Sequence, residues 1–234
     1  MSAVPRLPET MSAARLLTVC LAAEDCAAGY RADALCAPDR RRLAEHPQLA
    51  KRPDWQTSRF LRRIMQDDGC GCLSHSGGCA AWSPAGSGID LETLRPRRFN
   101  AWAELVCSAD EQNWLRQHGA TTEAHYLLWT LKEALLKAAG LTWADLPRVG
   151  LRRRSADWVL TGGGQNWYGE AVRINRSHLA ACVWPPALAD TVYWQAFGAW
   201  QQADIQVLAA FRQPVCLPHL PQVKTTSETL SRLL

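Results

Sequence analysis

Residues 121–140 constrain this chain more than any other stretch. Thr121 or Thr122 offers an N-cap, Leu127, Leu128, Leu131, Leu135 and Ala138 recur at helical spacing, and Gly140 ends the pattern, which predicts an amphipathic helix with one face in a core. The pattern then changes period. Residues 158–161, 167–174 and 178–184 read as strands, with Gly162-Gly163-Gly164 as a hairpin turn and not a phosphate cradle, because no helix start follows it. A helix of this kind beside a run of strands places the chain in the α+β class.

The amino-terminal part is read as a strand over 14–22. The apolar run after Arg15 also suits a signal peptide, but it is short, and Glu9 and two prolines lie ahead of it, so a strand is preferred. A helix opens near Pro53, with Asp54 in its first turn and Trp55, Phe60, Leu61 and Ile64 as its apolar residues, and it carries Arg52, Arg59, Arg62 and Arg63. Residues 69–88 are glycine-rich. Ser108 and Glu111 form a capping-box pattern that starts a helix ending at His118-Gly119 and assigns Glu111 to a cap. From 190 onward the chain reads as a candidate helix and a proline-bounded tail. Ser74-His75-x-x-x-Cys79-x-x-Trp82 is echoed by Ser177-His178-x-x-x-Cys182-x-Trp184, which suggests two similar halves.

Two segments carry chemistry. In Gly88-Ile89-Asp90-Leu91-Glu92 the carboxylates alternate with apolar residues, so on a strand both leave one face. On the 121–140 helix Glu133 and Lys137 lie one turn apart, away from the leucines. Three carboxylates and a lysine brought together suit a magnesium ion and a phosphate chain. Taken singly, the strand pair could end in solvent and Glu133 with Lys137 could be an ordinary surface pair. Cys70-x-Cys72-x-x-His75-x-x-x-Cys79 offers a competing structural zinc reading, without the paired knuckles usual for zinc.

Composition narrows the partners. The 234 residues carry a formal charge of +4, which favours an anionic partner, and nine cysteines in odd number fit reduced thiols better than a disulfide framework. The eleven tryptophans are dispersed from Trp55 to Trp200 without a basic-aromatic ribbon, so nucleic acid is not expected. No segment is long enough to span a bilayer, and the expected setting is cytoplasmic.

Leu73-Ser74-His75-Ser76-Gly77, Gly88-Ile89-Asp90-Leu91-Glu92 and Trp129-x-x-Lys132-Glu133-Ala134-x-x-Lys137-x-x-Gly140 together resemble the 4'-phosphopantetheinyl transferases, of the longer single-chain type. The resemblance is close over about residues 70–145 and looser elsewhere. It implies magnesium-dependent transfer of the phosphopantetheine arm of coenzyme A to a serine of an apo acyl or peptidyl carrier protein, releasing 3',5'-ADP. A non-catalytic scaffold that binds coenzyme A or a carrier is the alternative of the same fold. By resemblance Asp90, Glu92 and Glu133 hold the metal, and Glu133 and Lys137 are catalytic. Ser74, His75, Lys132 and Lys137 contact the cofactor. The family's Gly-Lys-Pro segment has no counterpart here, so Arg52 and Arg59, with Arg62 and Arg63, are the candidates to replace its phosphate contacts. Arg95, Arg97 and Arg98 are the candidate rim for an acidic carrier. The implied architecture is two similar α/β subdomains related by pseudo-twofold symmetry in a monomer, the active site in the cleft between them. An amino-terminal half spans 1–85, a carboxy-terminal half 86–189 and an extension 190–234.

Overall fold

A computed structural model of the protein describes residues 14–212. Along the chain the strands are β1 (Leu16–Ala22), β2 (Cys72–Ser76), β3 (Cys79–Ser83), β4 (Gly88–Thr93), β5 (Gly150–Arg154), β6 (Asp157–Gly162), β7 (Gln165–Ile174), β8 (His178–Trp184), β9 (Thr191–Phe197) and β10 (Ile205–Phe211). The α-helices are α1 (Ala37–Glu45), α2 (Pro53–Ile64), α3 (Asn100–Val106), α4 (Ala109–Gln117) and α5 (Thr122–Ala139). One sheet has the order β2-β3-β1-β9; the other has the order β4-β8-β7-β6-β5, with β10 antiparallel to β7. The chain is therefore of mixed α+β class with two sheets.

Period-two alternation in the strands builds the layers. Leu17, Val19 and Leu21 of β1 share one buried cluster with Ile89 and Leu91 of β4 and with Ala180, Cys182 and Trp184 of β8, so the two sheets pack face to face over it. The intervening residues of β8, Leu179, Ala181 and Val183, belong instead to the cluster under α5, with Leu128, Leu131 and Leu135. On the far side of the first sheet, Cys20, Ala22, Ala80 and Trp82 pack against Leu61 of α2. The order is helix, sheet, sheet, helix. Because Ile89 and Leu91 face the inter-sheet core, Gly88, Asp90 and Glu92 must face α5.

The caps explain where the central helices begin and end. Ser108 Oγ accepts from the Glu111 amide while Glu111 accepts from the Ser108 amide, closing the capping box of α4. Thr121 Oγ1 accepts from the Ala124 amide, and Gly140 stops α5 in the left-handed region at φ 62°.

Two readings are corrected. The segment from 190 does not stand apart as a helix and tail: within the described residues β9 runs parallel to β1, from Leu16 opposite Thr191 to Ala22 opposite Phe197, and β10 joins the other sheet. Val192, Trp194 and Ala196 alternate toward the inter-sheet core, which is a strand pattern. The rest of that segment, beyond 212, lies outside the described residues. Nor is the Ser-His echo a structural repeat. Its first copy spans the β2–β3 hairpin, whereas its second runs into the single strand β8.

Candidate active site

The edge of β4, the facing side of α5 and strand β2 enclose a cavity of about 400 Å³, lined by Ser74, His75, Asp90, Glu92, Glu133 and Lys137, with Leu73, Leu91, Trp129 and Trp143. Gly88 sets how closely helix and strand approach. A β-carbon there would collide with the Ala134 carbonyl and the Ala138 amide of α5, so only glycine admits the turn of α5 that carries Glu133 and Lys137 beside Asp90.

Asp90 is the centre of the polar network. It is 4% exposed; its Oδ1 accepts from Lys137 Nζ at 2.7 Å and from Ser74 Oγ at 2.8 Å. Its Oδ2 is buried without a hydrogen-bond partner among the described residues, and such an atom calls for a ligand. Lys137 also donates to the Ile89 carbonyl at 3.0 Å. Loss of solvent lowers the Lys137 pKa, but the Asp90 carboxylate beside it prevails and holds it above its ordinary value. Glu133 is raised from 4.5 to about 7, first by burial and then by the charges of Asp90 and Glu92, against the pull of Lys137. Glu92 is raised by burial, which the Trp129 indole N–H, donated at 2.9 Å, opposes.

Oxygen donors of this kind suit a hard divalent cation, and the orphaned Asp90 oxygen and the mutual repulsion of the carboxylates both fit one. The three are neighbours without being preassembled, since no group of three or more His, Cys, Asp or Glu side chains among the described residues is gathered tightly enough to hold a metal. The same observation stands against the Cys70, Cys72, His75 and Cys79 zinc set. Burial raises the Cys79 thiol to about 11, which keeps it protonated.

A second, smaller cavity of about 120 Å³ opens on the other side of His75, lined by Arg42, Leu49, Arg52, Asp54, Trp55, Arg59 and His75. His75 Nδ1 lies 3.2 Å from Asp54 Oδ2, and Asp54 also receives two hydrogen bonds from Arg52. Arg59 is buried, paired with Asp39 at 2.7 Å and stacked over Trp55 at 3.6 Å, with its Nε unpartnered among the described residues. Partial burial lowers the His75 pKa against the attraction of Asp54. Arg62 is committed to Asp39 and Asp67.

One expected cofactor contact, Lys132, is corrected, and the hydroxyl of Ser74, which lines the cavity, is already engaged. Lys132 points into the protein, not into the cavity: it is fully buried, donates to both Glu111 oxygens at 2.9 and 2.8 Å and to the Val149 carbonyl. A helix turns about 100° per residue, so a neighbour of Glu133 falls on the core side, and Glu111 is its counter-ion as well as a cap. Ser74 is 8% exposed and its hydroxyl is used within the protein, donating to Asp90 and accepting from the Leu91 amide at 3.2 Å. It orients Asp90. Asp54, Arg42 and Trp143 were not anticipated: Asp54 was legible only as a helix-start residue, and the other two carry no local signal.

Residues 86–179 match the family model of the 4'-phosphopantetheinyl transferase superfamily. A curated protein of Haemophilus influenzae named "Putative 4'-phosphopantetheinyl transferase" is 34% identical over 62 residues, which is 26% of this chain and 26% of that protein. The alignment thus spans about a quarter of the relative's length. The matched region contains Asp90, Glu92, Glu133 and Lys137, while His75 and the arginine cavity lie outside it. Over residues 86–179, which bring both carboxylate motifs to one cavity, the chain is similar to the 4'-phosphopantetheinyl transferase superfamily.

Proposed function

We propose that this protein transfers the 4'-phosphopantetheine arm of coenzyme A to a serine of an apo acyl or peptidyl carrier protein, with magnesium, releasing 3',5'-ADP. The observation that carries the reading is the single cavity where Asp90, with its unpartnered buried oxygen, meets Lys137 and a Glu133 whose pKa is raised to about 7. A carboxylate in this cavity can take the proton of a serine hydroxyl, which is a poor nucleophile until it is lost; the value near 7 belongs to the cation-free site, and a bound cation would lower it.

Asp90, Glu92 and Glu133 are the residues that would hold the magnesium ion, which supplies charge neutralisation to the pyrophosphate oxygens. Glu133 accepts the carrier serine proton, directly or through a water. The serine oxygen forms a bond to the phosphorus that bears the pantetheine arm, the P–O bond to the adenosine-side phosphate breaks, and 3',5'-ADP leaves with the electron pair. Lys137, already beside Asp90, offers positive charge where the leaving group develops its own. His75, Arg52 and Arg59 form the anion-binding wall of the smaller cavity, suited to the 3'-phosphate. Arg95, Arg97 and Arg98 are exposed just after β4, and Leu105, 76% exposed, and Trp143, 63% exposed, are apolar side chains open to solvent. That combination suits an acidic carrier with an apolar helix face. One chain supplies both halves, so the protein acts as a monomer.

The lack of a preassembled metal cluster among the described residues favours a second reading, a scaffold that binds coenzyme A or a carrier without transfer. Intact-mass spectrometry separates the two. Incubation with coenzyme A, magnesium and an apo acyl or peptidyl carrier should add one phosphopantetheine to the carrier with wild type and none with Glu133→Ala. No gain on either carrier while coenzyme A still binds would support the scaffold and overturn transfer.

A further inference from the structure

We infer that Trp129 is a positioning residue: its indole N–H holds the Glu92 carboxylate in place for a divalent cation, and its own place is fixed by Trp102 and Trp143. The inference rests on the reading of the carboxylates as a cation site. Trp129 Nε1 donates to Glu92 Oε1 at 2.9 Å, and an indole can only donate. Glu92 sits near the end of β4 on a longer, freer side chain than Asp90, and no other hydrogen bond to its carboxylate is formed among the described residues. Without the indole, repulsion from Asp90 and Glu133 would turn it away from them. Trp129 is one helical turn before Glu133, so α5 presents the N–H and the Glu133 carboxylate on the same face.

Packing holds the donor. The Trp129 ring meets Trp102 of α3 at 5.4 Å and 68°, and Trp143 of the 3-10 helix Trp143–Arg148 at 5.4 Å and 53°. Such tilted contacts are favourable aromatic geometry. The indole therefore links one of the three carboxylates to two separate elements. Hydrogen-bond partners of metal-binding side chains commonly set affinity by about 10- to 100-fold.

The test is Mn2+ binding to the full chain with coenzyme A, followed by electron paramagnetic resonance of the free ion, in wild type, Trp129→Phe, Glu92→Gln and the double variant. Trp129→Phe keeps an aromatic ring, though a smaller one, and deletes the donor. It should weaken Mn2+ by about 10-fold, and should have no further effect in the Glu92→Gln background, as expected of a residue acting through Glu92. Unchanged affinity in Trp129→Phe, or additive losses in the double variant, would overturn this inference alone. Absence of Mn2+ binding by wild type would overturn the cation reading and this inference with it. If Trp129→Phe does not fold, the Trp129 indole proton resonance decides: it should shift on Glu92→Gln and on Mn2+-free Mg2+ addition to the otherwise native protein, and a resonance indifferent to both would overturn the role.

Discussion

At the scale of the residue, Glu133 governs how the site responds to pH. Its pKa is raised from 4.5 to about 7 by burial and by Asp90 and Glu92, and a carboxyl group shifted upward on folding favours the folded state in its protonated form. That contribution is fully present below about 4.5 and is lost as pH rises through about 7. Glu133→Gln removes the loss, so the free variant should be more stable than wild type at pH 8 by about 2 kcal/mol after allowance for solvent screening. Near pH 4 the difference should vanish, and magnesium should narrow it at pH 8 by stabilising wild type alone. Thermal melts at the two pH values with and without the ion measure all three. The same substitution should lower kcat/KM for the carrier by about 10²- to 10⁴-fold. These side chains were legible because period two sends Asp90 and Glu92 to one face and a four-residue spacing aligns Glu133 with Lys137. Lys132 was not, since its burial depends on Glu111, a counter-ion 21 positions away that no local pattern announces.

At the scale of the element, the decisive contact is the one between β4 and α5 at Gly88. The colliding atoms for any added β-carbon there are backbone atoms of Ala134 and Ala138, which cannot rotate aside as a side chain could. Gly88→Ala must move the helix. Overpacking of this sort costs about 1–3 kcal/mol, and the displacement carries Lys137 and Glu133 away from Asp90. Gly88→Ala should therefore lose activity in its folded fraction, and its melting temperature should fall; full activity per folded molecule would show that the close approach is not what aligns the site. Helices α2, α4 and α5 and strands β1, β4 and β6 to β8 were readable from caps and apolar spacing, as the capping box of α4 and the left-handed Gly140 illustrate, whereas β9 and β10 were misread. The parallel pairing of β9 with β1 was not, because partners such as Leu16 and Thr191 are nearly the whole described chain apart and pairing at that distance leaves no trace in either segment alone.

At the scale of the whole molecule, the acidic cavity at β4 is followed along the chain by an exposed basic segment. The acidic cavity would repel an acidic partner if it were met alone. Beside it stand the exposed Arg95, Arg97 and Arg98, with Arg97 lying 5.6 Å over the Tyr126 ring and the Arg95 amide donating to the Tyr126 hydroxyl at 3.3 Å, so the basic segment is tethered to α5. Exposed charges at a rim act chiefly on encounter and orientation, and are screened by salt. Reversing all three arginines to glutamate should then raise the carrier KM by about 10-fold or more at low salt while kcat and the coenzyme A KM stay within about twofold. Salt should weaken the wild-type interaction and strengthen that of the variant, because the sign of the rim has been exchanged. Initial rates across a salt series with both proteins measure this. A carrier KM indifferent to the reversal would place carrier docking on another face; a matched rise in the coenzyme A KM would instead assign the three arginines to the cofactor.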